Sequence, residues 1–113
     1  MITLVVKSTD PLAVEKSINI LKKGGVIVYP TDTLYGFGVD ANNNYAIERI
    51  NKLKNRHSPM SVIACRFEQA MSWTNIKEKD IEIAKKILDS SSTLILDAKK
   101  NIVSNKILGK NNT

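Results

Sequence analysis

The stretch Gly24-Gly25-Val26-Ile27-Val28-Tyr29-Pro30-Thr31-Asp32-Thr33-Leu34-Tyr35-Gly36-Phe37-Gly38 decides how this chain is read. Its apolar run closes at Pro30, which predicts a buried strand over residues 26–29. Residues 31–44 follow neither the helical nor the strand period and hold Gly36 and Gly38, so they read as a loop. That loop presents two threonine hydroxyls, a carboxylate and a phenol beside glycines. Loops leaving a sheet at strand ends commonly carry ligand sites in α/β folds. Hydroxyls both donate and accept, and glycines let backbone amides approach a ligand. The alternative is a tight turn in which Thr31 and Asp32 bond only their own backbone. Gly36 and Gly38 lack the rest of a dinucleotide fingerprint, and no Gly-Lys-Thr/Ser follows, so this is not a Walker P-loop.

Towards the N-terminus, residues 2–7 are apolar and β-branched and predict a strand. Asp10 then offers an N-cap, Pro11 a first helical position, and Val14, Ile18 and Leu21 recur at helical spacing. Lys22 and Lys23 suit the negative end of that helix, and Gly24-Gly25 stop it. On the other side, Ala46, Ile47, Ile50 and Leu53 mark a second helix, followed by a loop over residues 55–59. A strand is expected at 61–65 and a short helix at 67–73. Asn75 and Glu78 have capping-box spacing before a helix through Ile81, Ala84, Ile87 and Leu88, and residues 93–97 read as a strand. This succession predicts an α/β (α+β) fold, a mixed twisted sheet flanked by helices, in one domain over residues 1–113.

With 113 residues and a 42% hydrophobic share, the chain is long enough to enclose a core and is not wholly disordered. A chain of this size is expected to bury roughly two thirds of its unfolded surface. No apolar run reaches the ~20 residues of a membrane span. A single Cys excludes an internal disulfide and suits the cytoplasm, and one Cys with one His argues against a protein-built zinc site. The net charge of +6 is uneven: residues 98–113 carry four lysines and no acid, and this Lys/Asn-rich stretch is expected to be a poorly ordered tail. A second concentration lies at Arg49, Lys52, Lys54 and Arg56, with Glu48 beside it.

In Lys54-Asn55-Arg56, an extended backbone would point both cations the same way, towards one anion. Arg brings a planar donor fork and Lys a compact charge. The alternative is that both cations complement the end of the preceding helix. Cys65 reads as a small hydrophobe, His57 as an exposed loop residue, and Met71 and Trp73 as packing. Any metal would enter with a phosphate ligand rather than on protein side chains.

Together, GGVIVYPTDTLYGFGVDA, the helix after it, KNR and PMSVI resemble the YrdC/TsaC-type threonylcarbamoyl-AMP synthase family, which includes YciO-like proteins. The resemblance covers roughly residues 18–96. It implies formation of threonylcarbamoyl-AMP and pyrophosphate from L-threonine, bicarbonate and ATP, with Mg2+ accompanying ATP. It also implies a partner enzyme that transfers the group to tRNA. Carried over, Thr33 and Thr31 fall in the threonine-binding loop, and Lys54, Arg56, Ser58 and Thr113 on the ATP phosphates and nucleotide. No side-chain nucleophile is implied. The chain departs from the family in placing His57 after its Lys-x-Arg, Ile63 where many members have a His, and Ser90-Ser91-Ser92 where they have Pro-Gly-Pro. The family's pattern also continues beyond the position of Thr113 with an arginine and a Ser-x-Asn. The resemblance is therefore to an N-terminal portion. The rival expectations are a non-catalytic nucleotide- or RNA-binding relative, or an inactive fragment.

Overall fold

The computed structural model describes residues 2–57 and 59–113. The chain divides into two compact units, Met1–Arg56 and His57–Thr113. Both helices and strands are present, so the fold is α+β.

The first unit runs α1 (Ala13–Lys22), β1 (Ile27–Pro30), β2 (Tyr35–Gly38) and α2 (Asn44–Lys54). Asp10 does not cap α1 directly. Its carboxylate accepts the Leu12 amide at 2.8 Å and pairs with Lys16 at 2.9 Å, so Pro11 and Leu12 form a turn and the helix opens at Ala13. The half-buried side of α1 carries Ala13, Ser17, Ile20 and Leu21, while the expected Val14 and Ile18 are exposed. At its end, the Gly24 amide donates to Leu21 O and the Gly25 amide to Ile20 O, at 3.0 and 2.9 Å. This is a Schellman closure with Gly24 at φ +76°.

The expected strand at 26–29 is β1, shifted by one residue to Ile27–Pro30. The residues after it are not all loop: Tyr35–Gly38 returns as an antiparallel strand, with Ile27 opposite Gly38 and Pro30 opposite Tyr35. Of the two glycines that suggested a loop, Gly38 is the one that lets it return. A Cβ on Gly38 would lie 2.9 Å from the Tyr29 ring, so the ring lies across space that only a glycine leaves free. One face of the hairpin, with Ile27 and Tyr29, is half-buried, whereas Val28, Tyr35 and Phe37 on the other are exposed.

Asn43 caps α2, its side-chain oxygen accepting the Ala46 amide at 3.0 Å. Ala46, Ile47 and Ile50 are buried and form the core of this unit together with the polar Asn51. Leu53, expected on that face, is half exposed. Asn51 Oδ1 is buried without a hydrogen-bond partner among the described residues.

In the second unit, α3 (Phe67–Ser72) and α4 (Ile81–Asp89) match the expected helices, and Ala84 is buried on α4. The capping box does not form. Asn75 instead donates its backbone amide to Asp97 O at 2.9 Å, and a single 3-10 turn, Glu78–Asp80, leads into α4. Residues 2–7, 61–65 and 93–97 lie in no β-ladder among the described residues; a strand exists only with a hydrogen-bonded neighbour, which apolar alternation alone does not supply. An isolated antiparallel bridge, Thr74 to Ala98, is flanked by the Lys99 amide donating to Trp73 O at 2.8 Å. Beyond it, residues 98–113 contain the 3-10 turns Asn105–Ile107 and Lys110–Asn112, with Ile107 buried and its carbonyl accepting the Met60 amide. An open groove of about 640 Å³ in this unit is walled largely by apolar residues, among them Val62, Met71, Trp73 and Leu88.

Candidate functional site

Pro30 and Tyr35 close the hairpin across the four-residue loop Thr31-Asp32-Thr33-Leu34. Thr31 organises that loop. Its hydroxyl donates to the Leu34 carbonyl and accepts the amides of Thr33 and Leu34, at 3.3 and 3.2 Å. Its own amide donates to Leu34 O at 3.2 Å. Thr33 is exposed at the tip, with its hydroxyl 3.5 Å from that of Thr31. Thr31 therefore bonds its own loop, as the turn reading has it, and the hydroxyl of Thr33 is left exposed beside it. Asp32 is also exposed, so a carboxylate and a hydroxyl face solvent side by side.

Lys54-Asn55-Arg56 is not extended, and the expected parallel display of its two cations is corrected. Lys54 is the last residue of α2, and Asn55 takes the left-handed conformation at φ 49° and ψ 44°. The Asn55 amide then donates to Lys52 O and the Arg56 amide to Asn51 O, at 3.2 and 3.1 Å. The chain turns sharply between the cations, and the α2 carbonyls are closed by the Schellman pattern also seen in α1. Lys52 and Lys54 lie in the last helical turn, where cations complement the helix dipole. Lys54 and Arg56 are both exposed and make no ion pair among the described residues. The main-chain bonds fix the turn that carries the two cations.

Thr113 belongs to the second unit. Its hydroxyl donates to Lys110 O at 2.8 Å, its carbonyl accepts the Gly109 amide at 2.6 Å, and it lines the apolar groove. Ser58 lies outside the described residues. Cys65, expected at the end of a buried strand, is exposed, and its amide donates to Gln69. Ile63 is 71% exposed. Among the described residues, no three His, Cys, Asp or Glu side chains gather as a metal site. No described helix is long and apolar enough to cross a membrane.

Asn55 is the residue that reading by pattern missed. Its signal was present: an Asn directly after a helix ending in lysines is a candidate left-handed stop, a role shared mainly with glycine. Asn43 was overlooked in the same way as a cap.

A family model described as telomere recombination, Sua5/YciO/YrdC, matches residues 19–113. A threonylcarbamoyl-AMP synthase of Haemophilus ducreyi is 32% identical over 101 residues, covering 85% of this chain and 54% of that protein. One from Bacillus subtilis strain 168 is 29% identical over 103 residues, covering 88% of this chain and 30% of its own length. One from Saccharophagus degradans reaches 41% identity over 54 residues, covering 46% of this chain and 28% of that protein. The chain thus spans about half or less of the length of these relatives.

Proposed function

The chain belongs to the Sua5/YciO/YrdC family, and from that premise we propose that it carries the threonine- and phosphate-binding half of a threonylcarbamoyl-AMP synthase. The observation that carries this reading is the Thr31-organised loop, in the same unit as the Lys54-Asn55-Arg56 turn. The first presents an exposed hydroxyl, and the second two exposed cations fixed by main-chain bonds.

In the proposed reaction the amine of L-threonine takes up bicarbonate with loss of water. An oxygen of the resulting carbamate attacks the α-phosphorus of ATP, and pyrophosphate leaves. Thr33 contacts the threonine substrate and Thr31 holds the loop in shape. Lys54 and Arg56 neutralise charge that develops on the phosphates, where fixed cations are most effective. Positioning supplies much of the remainder, because no side-chain nucleophile takes part. Magnesium enters as part of the ATP substrate, on phosphate oxygens and water. Thr113 is a nucleotide contact implied by the family's pattern. Ser58 is the further nucleotide contact implied by the family's pattern. The product is consumed by an enzyme that modifies tRNA, in the cytoplasm.

Threonine-dependent pyrophosphate release from ATP and bicarbonate tests the proposal, with ATP binding measured alongside by calorimetry. Release that falls by at least tenfold in Lys54→Ala supports it. ATP binding without release assigns the chain to nucleotide binding alone, and no ATP binding overturns the reading.

A further inference from the structure

Two stretches of the second unit, residues 61–64 and 93–96, carry strand-type residues, lie in no helix or turn, and both line the apolar groove of about 640 Å³. Among the described residues, their main-chain N–H and C=O groups make no hydrogen bond. Ile63 and Ile95 on these stretches are 71% and 75% exposed. The groove thus offers apolar walls together with unused main-chain donors and acceptors.

That combination selects the occupant, because main-chain polar groups are costly to leave unpaired once water is displaced from them. A small apolar molecule would fill the walls and strand the main-chain groups. A helix has already satisfied its own main chain. An extended strand meets both demands, bonding through its main chain and setting alternate side chains on the walls.

The first unit carries such a strand in Ile2-Thr3-Leu4-Val5-Val6-Lys7. Among the described residues the main chain of residues 2–6 makes no hydrogen bond. Ile2, Leu4 and Val5 are 100%, 61% and 89% exposed. Fully extended, this segment reaches about 20 Å, enough to run alongside either stretch of the groove. We propose that residues 2–7 of one copy of the chain add as a strand in the groove walled by residues 61–64 and 93–96 of a second copy. Each copy has such a segment and such a groove, so the exchange closes as a two-fold dimer. The catalytic reading uses none of these residues, and the two stand or fall separately.

The test uses the full chain, followed by sedimentation velocity and by the emission of Trp73, the single tryptophan, which lines the groove. The parent should pass from monomer to dimer as its concentration rises. Leu4→Pro removes a main-chain donor from the segment and should weaken dimerisation at least tenfold. Its circular dichroism should match the parent's, since it interrupts no main-chain bond among the described residues. A capped peptide of residues 2–7 should bind Leu4→Pro with a blue shift of Trp73 emission, and in excess should dissociate the parent dimer. The same peptide N-methylated at Leu4 and Val5 keeps its side chains but loses a donor on each edge, and should bind at least tenfold more weakly. Undiminished dimerisation in Leu4→Pro overturns the proposal by assigning self-association to side chains alone. Equal binding of the two peptides, or binding of neither, overturns it as well. So does a parent that stays monomeric; if its Trp73 emission then moves to the red in Leu4→Pro, the segment occupies its own chain's groove.

Discussion

Thr31 has its hydroxyl wholly engaged within four residues of chain, and this makes the neighbouring Thr33 available. Thr31→Val keeps the shape and removes three hydrogen bonds, each worth about 1 kcal/mol net. The variant should raise the KM for threonine several-fold with a smaller change in the KM for ATP, and Thr31→Ser should restore it. A variant indistinguishable from the parent in steady-state kinetics would remove the loop from the threonine site. Asn55 makes a second residue-scale case, because its left-handed backbone is tolerated by Asn, welcomed by Gly and resisted by Ala. Asn55→Ala should cost about 1 kcal/mol in urea denaturation, whereas Asn55→Gly should be neutral or slightly stabilising. Asp10 sets a pH dependence. The Lys16 ammonium, then the Leu12 amide, hold its carboxyl below the usual carboxylate range. With the folded value depressed, the stability it adds is present above the ordinary carboxylate pKa and fades as pH falls through the folded one. The melting-temperature gap between parent and Asp10→Asn should therefore narrow as the solution is acidified below the carboxylate range. At neutral pH, added salt should narrow it as well, since the pair is at the surface.

At the scale of elements, helices were legible and most strands were not. The apolar spacing of Ala46, Ile47 and Ile50, and of Ile81 and Ala84, is a property of a single segment and survives into the structure as buried faces. A strand depends on what lies beside it, and residues 2–7, 61–65 and 93–97 carry suitable residues without a ladder among the described residues. The hairpin return was hidden for the opposite reason. Gly36 and Gly38 looked like loop residues because the cue was local, while the use of Gly38 is to admit the Tyr29 ring from the facing strand. The candidate residues Thr31, Thr33, Lys54 and Arg56 stood out by residue type, whereas the turn at Asn55 shows only when an Asn after a lysine-ended helix is read as a left-handed stop. Gly25 belongs to this scale as well. A Cβ there would sit 2.4 Å from the Ile20 side chain and 2.9 Å from its carbonyl oxygen. Gly25→Ala should destabilise the chain by about 1–3 kcal/mol in the same urea experiment by forcing α1 and β1 apart. An unchanged midpoint would count against the tight α1 stop.

For the whole molecule, large apolar side chains stand exposed in both units, among them Val28, Leu34, Tyr35, Ile63 and Ile95. Hydrophobic area left in water favours self-association. Sedimentation velocity should show a weight-average mass that rises with protein concentration, together with strong binding of an apolar dye. A concentration-independent monomer that binds no dye would argue that these residues are covered in solution.

The division at Arg56 and His57 has one consequence in photophysics. All three tyrosines, Tyr29, Tyr35 and Tyr45, lie in the first unit, and the single tryptophan, Trp73, lies in the second. Red-edge excitation thus reads the second unit through its indole alone, while the phenol bands in the near-ultraviolet belong to the first. The chain carries two intrinsic chromophores sorted by unit, and whether its halves melt as one cooperative transition or as two can be followed without a label.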